Sequence, residues 1–498
     1  MKRVLSFILT LSMLLSCMMF VLTSCGEDET TPSDEKQNNV NGDNDLALEA
    51  GDIFAERAAT DDGLDDNWDF GGKTLRVVCH NDGGEMFPAP EDVNKGDLIK
   101  DAKATRNEAV EAKLNCNLEL AYSGGINELS AYVQKSVLSG TDEFDLIVNH
   151  VMTTGGMVTK NLFLNWYDIP HVDFSKPWWA ATTSTELTYD GKCILAISDI
   201  NANAITSTCV IAFNKNLAAA YDLGNLYELV LDGDWTYDVM YDMIKDIYVD
   251  TDGSGTRTAG DFYGATFGMD NSTNAWLWAF NNPIMAKDEE GVPTIAVKTD
   301  KINAIMQTIY DFYYNTNGVG SSDDEDFVEY KMFLNKQSIM TNIYLAHVLW
   351  PSFRNFEDDY GILPYPKWDE NQKDYYSHVY GEHTVSCVPK TAKDLEFIGV
   401  CTEALAYESW KTITPTIYET ALKTRYLRDS ESKEVLDIVL ENRYFDFGFV
   451  YDNWQGFGSL VRNMVEAKNE NFESYYEKRY PQAKQHFRKI LRAYDRLG

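Results

Sequence analysis

Three apolar runs alternate with two helix-patterned stretches early in this chain, and this alternation limits its fold more than any other feature. Residues 74–79, 117–122 and 144–148 have the pattern of strands, and residues 97–114 and 127–138 have apolar side chains at helical spacing. Strands that alternate with helices in this way lie parallel in one sheet, with the helices packed on its faces. We therefore predict an α/β lobe whose ligands bind beyond the carboxyl ends of its strands.

Polar side chains follow two of these strands. Asn81 and Asp82 come after the first strand, and His150 comes after the third. Because the carboxyl ends of parallel strands meet at one edge of a sheet, we expect the three residues to face the same cleft. A lone histidine is more often a structural residue than a ligand contact, and that interpretation of His150 stays open.

A change of pattern near residues 205–214 indicates a second lobe. Residues 208–214 have the pattern of a strand, and Thr236 is a suitable N-cap for an amphipathic helix that runs to about Tyr248. A chain of 498 residues is long enough for two lobes of ordinary size.

Residues 1–24 have the pattern of a secretory signal peptide, with a basic end and a long apolar run. The run ends at Leu22-Thr23-Ser24-Cys25, which resembles the lipobox of bacterial lipoproteins. The resemblance implies that Cys25 becomes the mature N-terminus and is lipidated, with palmitate among its acyl chains. Two or more such chains would hold the protein firmly on the extracellular face of the cell membrane. A plain secreted protein or an uncleaved membrane helix is the alternative.

The segment after the signal peptide has the composition of a tether. Residues 26–70 hold 15 acidic residues against Lys36 and Arg57. A segment of this kind buries too little apolar surface to offset the entropy lost on ordering. We therefore predict a disordered acidic tether over residues 25–70, which lets a folded body stand away from the bilayer.

The charge of the chain limits its partners. A formal net charge of −35 argues against nucleic acid and against docking on anionic lipid headgroups. No apolar stretch after the signal peptide approaches the ~20 residues that span a bilayer, so we expect membrane contact through the lipid anchor only. The six body cysteines show no C-x-x-C spacing, which argues against a zinc site. The sequence does not distinguish disulfides from buried free thiols at these cysteines.

Five short stretches follow one another in the order found in a known family. They are Ile211–Lys215, Gly233–Thr236, Phe333–Met340, Tyr360–Pro366 and Val385–Lys390. In this order they resemble the extracellular solute-binding proteins of ABC importers, in the group that includes maltodextrin-binding protein. The resemblance covers nearly the whole body. It implies an α/β, two-lobed, periplasmic-binding-protein-like fold with a hinge and an interlobe cleft.

The same resemblance implies domain limits and a function. The chain would cross between the lobes three times, with residues 71–207 and 384–435 in the first lobe and residues 208–383 and 436–498 in the second. The protein would capture a small solute, a sugar or an oligosaccharide, and deliver it as a monomer to the permease subunits of an ABC importer.

Two other functions compete with this interpretation. The sequence has no H-E-x-x-H, G-x-S-x-G or G-x-x-x-x-G-K-[ST] motif, so the usual patterns of zinc, serine and P-loop enzymes are missing. A tethered glycoside-processing enzyme needs only two well-placed carboxylates, and the chain has 78 acidic residues. A ligand-sensing partner of a membrane receptor would share the fold. We expect a binding protein and not an enzyme.

Aromatic and polar residues at the cleft positions of the family are the candidate ligand contacts. Aromatic rings suit the apolar C–H faces of sugars, and polar groups at the rim suit the hydroxyls. The candidates are Trp454, Trp276, Trp278, Asn81, Asp82, His150, Glu382 and His383. Trp276 and Trp278 are two residues apart and point in different directions, so we expect one of them to lie in the core.

A Gly- and Asp-rich stretch over residues 250–261 matches the spacing of a calcium loop. Side chains of Asp250, Asp252 and Ser254, the carbonyl of Thr256 and the carboxylate of Asp261 take ligand positions. The stretch resembles the calcium loops of dockerin modules, and the amphipathic helix predicted from Thr236 leads into it. We expect a structural Ca²⁺ site, with a surface turn that binds no ion as the alternative.

Overall fold

The strands form two main sheets and three two-stranded ribbons within the described residues. A computed structural model describes residues 54–80, 86–321, 328–423, 430–452 and 456–497. In chain order the strands are β1 (Lys73–His80), β2 (Cys116–Gly124), β3 (Leu146–His150), β4 (Thr188–Tyr189), β5 (Lys192–Cys193), β6 (Cys209–Asn214), β7 (Tyr248–Val249), β8 (Phe262–Thr266), β9 (Met285–Lys287), β10 (Pro293–Ile295), β11 (Val319–Gly320), β12 (Ser338–Tyr344), β13 (Tyr360–Leu363), β14 (Ser377–His378), β15 (Thr384–Cys387) and β16 (Arg443–Tyr444).

Helices cover both sheets and form the C-terminal part of the chain. The α-helices are α1 (Leu98–Leu114), α2 (Ile126–Ser139), α3 (Val151–Met157), α4 (Ala181–Thr185), α5 (Asn203–Thr206), α6 (Lys215–Ala220), α7 (Leu226–Leu231), α8 (Tyr237–Ile244), α9 (Ala275–Ala279), α10 (Ile302–Tyr314), α11 (Glu329–Leu334), α12 (Pro351–Arg354), α13 (Leu395–Glu408), α14 (Thr414–Lys423), α15 (Ser430–Glu441), α16 (Phe447–Tyr451), α17 (Leu460–Glu466) and α18 (Phe472–Asp495). Short 3-10 turns occur at Pro90–Asp92, Val158–Lys160, Trp166–Asp168, Asn271–Asn274 and Leu345–Leu349, and a π-helical turn occurs at Ser409–Ile413.

The first sheet has the strand order β15-β3-β1-β2. Strands β1, β2 and β3 are parallel, and α1 and α2 connect them, as the sequence pattern predicted. Local capping explains why α1 begins where it does, because the carboxylate of Asp97 accepts hydrogen bonds from the backbone of Ile99 and Lys100. Strand β15 pairs antiparallel with β3 and places Thr384 opposite His150.

The second sheet has the order β11-β8-β12-β6-β13, with β7 beside β8. Strand β12 lies parallel to β8 and antiparallel to β6. The chain enters this sheet at β6 and returns to the first sheet at β15. Next to these crossings, Thr208 and Val379 form an isolated bridge, so two connecting segments run side by side. The predicted α/β fold with two lobes is confirmed.

Residues 54–70 correct the predicted length of the tether. They include a helical turn over 54–58 and lie against the first lobe. Arg57 lies over the Trp410 ring at 4.6 Å, Leu64 is 9% exposed, and Trp68 and Phe70 pack on the core of the first lobe. Apolar anchors spaced among the acids order this segment, although its composition alone predicted disorder. Residues 25–53 lie outside the described residues.

The predicted limit between residues 435 and 436 falls inside the continuous helix α15. This helix contacts α7 and β13 of the second lobe. Its buried residues Leu436 and Val439 join a cluster with Ile362 of β13. The whole of α15 is therefore associated with the second sheet. Its packing, and not the boundary predicted at residue 435, decides to which lobe it belongs.

Two further observations concern the cysteines and the length of the helices. All six cysteines of the described residues are buried free thiols, which settles the alternative that the sequence left open. Among the residues that the structure describes, no helix is both long and apolar enough to cross a membrane.

Candidate functional site

A cavity of about 160 Å³ lies between the two lobes, beside the segments that connect them. Both lobes and the connecting segment before β15 contribute to its wall. The lining residues are Ile126, His150, Met152, Asn274, His378, Tyr380, Gly381, Glu382, Phe449 and Ser459.

The first lobe supplies the wall from the carboxyl ends of β2 and β3. Ile126 begins α2 just after β2, and His150 ends β3 directly before α3, which contains Met152. The His150 side chain is 4% exposed, and its Nδ1 lies 3.4 Å from the Thr153 hydroxyl. Burial, together with the nearby imidazole of His80, lowers the pKa of His150 to about 4. This position is the one that the parallel strand pattern predicted.

A glycine brings the two lobes close together at this wall. A Cβ atom on Gly155 of α3 would lie 2.1 Å from the carbonyl oxygen of Val450 in α16. Only a residue without a side chain allows α3 and α16 to pack this tightly. The contact sets Met152 of the first lobe near Phe449 of the second, and both line the cavity.

The carboxylate of Asp446 holds the second-lobe wall in place. It caps the N-terminus of α16 by accepting from the backbone of Gly448 at 2.6 Å and Phe449 at 3.2 Å. It also accepts from the backbone of Ile284 and Met285 and from the indole of Trp278 at 2.9 Å. Burial raises the pKa of Asp446 to about 6. Five donors on one carboxylate fix the helix that presents Phe449.

His378 lies between Trp278 and the cavity. Its ring stacks on Trp278 with centroids 4.0 Å apart and planes 7° from parallel, and it meets Phe449 edge-on at 4.8 Å. Its Nε2 atom is buried and has no hydrogen-bond partner among the described residues. Burial, and to a lesser degree His383, lowers the pKa of His378 to about 3. The ring is therefore neutral near pH 7.

The connecting segment before β15 adds the polar groups of Tyr380 and Glu382. The Tyr380 hydroxyl donates to the Glu382 carboxylate at 3.4 Å, and both residues line the cavity. His383 is fully buried, with its Nδ1 2.8 Å from the Tyr380 carbonyl, and it does not line the cavity. Burial lowers the pKa of His383 to about 4. Glu382 thus faces the cavity, whereas His383 supports the turn behind it.

The two tryptophans that the sequence nominated lie in the core. Trp276 and Trp278 are each 1% exposed, and neither lines the cavity. Trp276 packs among Phe267, Phe312 and Tyr365. The sequence spacing predicted that one of the two tryptophans lies in the core. In the structure, neighbouring side chains bury both of them. Trp278 reaches the site indirectly, through its stack with His378.

Three nominated residues, Asn81, Asp82 and Trp454, lie outside the described residues, and their role stays a prediction. Sequence reasoning missed eight lining residues from both lobes and the connecting segment: Ile126, Met152, Asn274, His378, Tyr380, Gly381, Phe449 and Ser459. No motif marks them. The one available signal was their nearness in sequence to nominated residues, since Asn274 precedes Trp276 and His378 precedes Glu382.

The predicted calcium loop forms a separate cluster of carboxylates. One oxygen each from Asp250, Asp252 and Asp261 lies within 4.8 Å of the others, and Asp261 is fully buried. The Thr258 hydroxyl donates to Asp252 at 2.6 Å, and this bond is the first cause that lowers the pKa of Asp252 to about 2. The Ser254 hydroxyl donates to the carbonyl of Thr256 at 2.9 Å. The five predicted ligand residues are thus neighbours.

The surroundings of this loop differ from the prediction. Helix α8 ends at Ile244, and the loop instead joins the antiparallel strands β7 and β8, with Tyr248 opposite Tyr263. The helix was expected to continue to about Tyr248. Instead, Tyr248 and Val249 form β7, which pairs with β8 at the second sheet. The loop is therefore the end of a hairpin rather than the centre of a helix-loop-helix unit.

Solved structures share this fold at low sequence identity. The ABC substrate-binding protein Lmo0181 from Listeria monocytogenes, in complex with cycloalternan, is 11% identical, covers 84% of this chain and 99% of its own, and has a TM-score of 0.51. The maltose/maltodextrin-binding domain MalE from Bdellovibrio bacteriovorus, bound to maltotriose, is 12% identical, covers 83% of this chain and 100% of its own, and has a TM-score of 0.50. No protein-family profile and no curated protein matches the chain.

Proposed function

We propose that this protein is a solute-binding protein that captures a carbohydrate in the cavity between its lobes and delivers it to an ABC importer. The main support is that residues from both lobes, and from the segment that joins them, line one cavity. The two solved structures with this fold hold the saccharides cycloalternan and maltotriose, which supports the same class of ligand here.

The chemistry of the cavity wall fits a sugar ring. Phe449 and Met152 offer apolar surface for C–H faces, and Asn274, Tyr380 and Ser459 offer groups that donate and accept hydrogen bonds. The neutral imidazole of His378 can accept from a hydroxyl without adding charge. At about 160 Å³ the cavity is smaller than the ~300 Å³ lower range of drug-sized pockets. We infer that it holds one sugar ring or one end of a longer chain.

Binding at this place explains how a ligand would signal its presence. A ring in the cavity contacts both lobes only when they are close together, so it favours the closed arrangement over the open one. An importer permease that recognises the closed arrangement would then accept the loaded form.

Isothermal calorimetry against a panel of mono- and oligosaccharides, amino acids and peptides tests the proposal. A sugar should bind and raise the melting temperature, because it binds the native state alone. Glu382→Gln should weaken that binding about tenfold, or about 1.4 kcal/mol, while Glu396→Gln should not, because Glu396 is an exposed glutamate with a 61% exposed side chain. Binding of a peptide but no sugar would contradict the proposed ligand class.

Trp454 stays a sequence-based candidate for the same site. We expect Trp454→Ala to weaken sugar binding tenfold or more, because an indole offers a large stacking surface. Unchanged affinity in a variant with the wild-type melting temperature would remove Trp454 from the site.

We propose that Cys25 is lipidated and holds the protein on the extracellular face of the membrane. The support is the sequence around Cys25, which lies outside the described residues. In cell fractionation, Cys25→Ala should move the protein from the membrane to the soluble fraction. Retention of that variant in the membrane fraction would contradict lipidation of Cys25.

We also propose a structural Ca²⁺ at Asp250, Asp252 and Asp261, with Ser254 and the carbonyl of Thr256 beside them. One oxygen from each of the three carboxylates lies within 4.8 Å of the others, and a cation among them would offset their repulsion. Added Ca²⁺ should raise the melting temperature and a chelator should lower it. Asp250→Ala with Asp252→Ala should remove this response, and the exposed pair Glu289→Ala with Glu290→Ala should keep it. A wild-type melting curve that Ca²⁺ and chelator leave unmoved would contradict the site.

A further inference from the structure

The C-terminal helix α18 concentrates positive charge in an acidic protein. The whole chain has 78 acidic and 43 basic residues, yet residues 478–494 contain no acidic residue. The helix buries Phe487, Ile490 and Tyr494 against the body. Its opposite face exposes a set of cations that we call the basic stripe: Lys484, Arg488, Lys489, Arg492 and Arg496.

The basic stripe winds along one broad face of the helix. Lys484, Arg488, Arg492 and Arg496 are four residues apart in turn, so each is a neighbour of the next, and the row turns by about 40° around the helix at each step. At 1.5 Å of rise per residue, the row is about 18 Å long. Lys489 lies beside it. The cations thus form a continuous band on the outward-facing side of the helix.

The stripe cations have no carboxylate partner within the described part of the chain. Other exposed cations in this region do have one, since Lys298 pairs with Glu473 at 2.5 Å and Arg462 pairs with Glu466 at 2.6 Å. The helix dipole accounts for cations in the last turn of a helix. It does not account for Lys484 or Arg488, which are more than one turn from Asp495.

From this arrangement we propose that the basic stripe docks on an anionic phospholipid surface and sets the orientation of the body on the membrane. A continuous band of long cationic side chains can reach a negatively charged surface together, and each cation near such a surface adds to the attraction. The field of exposed charges is screened within about 8–10 Å at physiological salt. The local stripe therefore governs contact at short range, although the net charge of the whole chain predicts repulsion. The acyl chains proposed at Cys25 would supply a second, independent attachment.

Vesicle sedimentation of the full chain carrying Cys25→Ala tests the proposal without the acyl anchor. The probe is a vesicle of phosphatidylglycerol and phosphatidylcholine, compared with phosphatidylcholine alone. The protein should bind the anionic vesicles at low salt, bind them at least tenfold more weakly at high salt, and leave the neutral vesicles unbound. The triple change Lys484→Glu, Arg488→Glu and Arg492→Glu should reduce binding at least tenfold.

A matched control separates the stripe from overall charge. Lys95→Glu, Lys135→Glu and Lys373→Glu also reverse three exposed lysines and change the net charge equally, and this variant should bind as well as the parent. Both variants should keep the parent's melting temperature and sugar affinity, so a failure here is distinct from a failure of the proposed function. Equal loss in both variants, or no binding of the parent to anionic vesicles, would overturn the proposal. Binding only to vesicles that contain permease subunits would overturn it too, in favour of a protein partner.

Discussion

Both lobes bury a carboxylate that accepts from tryptophan, with two indoles in the first lobe and one in the second, but the two carboxylates hold different parts of the structure in place. In the first lobe, Glu403 accepts from the indoles of Trp178 at 2.7 Å and Trp179 at 3.0 Å, and from one backbone amide. In the second lobe, Asp446 accepts from the indole of Trp278 and from four backbone amides.

The two carboxylates differ in whether the residues they hold in place line the cavity. Glu403 and its tryptophans contact residues such as Tyr407 and Trp410, and none of these lines the cavity. Asp446 fixes α16, which presents Phe449, and orients Trp278, on which His378 stacks. The same chemical unit therefore stabilises one lobe, and in the other lobe it also positions the wall of the site.

The largest effect is expected for Asp446→Ala. Five donors would lose their acceptor in a buried place, which should lower the free energy of unfolding by about 3 kcal/mol or more. Sugar affinity of the folded fraction should fall as well, because α16 loses its cap. Urea unfolding and calorimetry measure the two effects. A loss of stability with unchanged affinity would mean that Asp446 acts no differently from Glu403.

A smaller effect, on stability alone, is expected for Glu403→Ala. Three donors lose their acceptor, so unfolding should become easier by about 2–3 kcal/mol. Sugar affinity should stay within twofold, because no cavity residue rests on this carboxylate. The same two measurements apply. A tenfold loss of affinity would break the distinction between the lobes.

The pH dependence of stability tests the effect of burial on Glu403. Burial raises the pKa of Glu403 from its ordinary 4.5 to about 7. The folded state then holds the proton more tightly than the unfolded state, so Glu403 contributes most below pH 4.5 and its contribution falls as the pH rises to about 7. Glu403→Gln removes this term. Asp446 and the cavity histidines are present in both proteins, so they cancel.

Relative to the wild type, the Gln variant should therefore gain roughly 1–3 kcal/mol between pH 4.5 and pH 7. Urea unfolding at a series of pH values measures the difference between the two proteins. A difference that is constant with pH would show that Glu403 stays ionised throughout this range.

The smallest change in stability is expected for His378→Phe. Phenylalanine keeps the stack on Trp278 and removes a buried nitrogen without a partner, so stability should change by less than about 1 kcal/mol. Sugar affinity should fall several-fold, because the acceptor at the cavity is lost. Wild-type affinity would mean that His378 supports the wall and does not contact the ligand.

Much of the fold followed from the sequence because periodicity reports burial. The alternation over residues 74–148 gave three parallel strands and two helices, and the position of His150 at a strand end followed from it. The candidate site was predictable only in part. His150 and Glu382 reach the cavity, whereas Trp276, Trp278 and His383 lie behind its lining. A pattern shows that a side chain is covered, but it does not show which neighbour covers it.

What the sequence determined by itself is local: strand and helix periods, the cap of α1 at Asp97, and the spacing of carboxylates over residues 250–261. The tertiary structure alone decided the rest. It ordered residues 54–70 through contacts with residues as distant as Trp410, and it placed α15 with the second sheet. It also assembled the cavity from residues 126 to 459. Such contacts join positions far apart in the chain, and their energies depend on packing that no single segment contains.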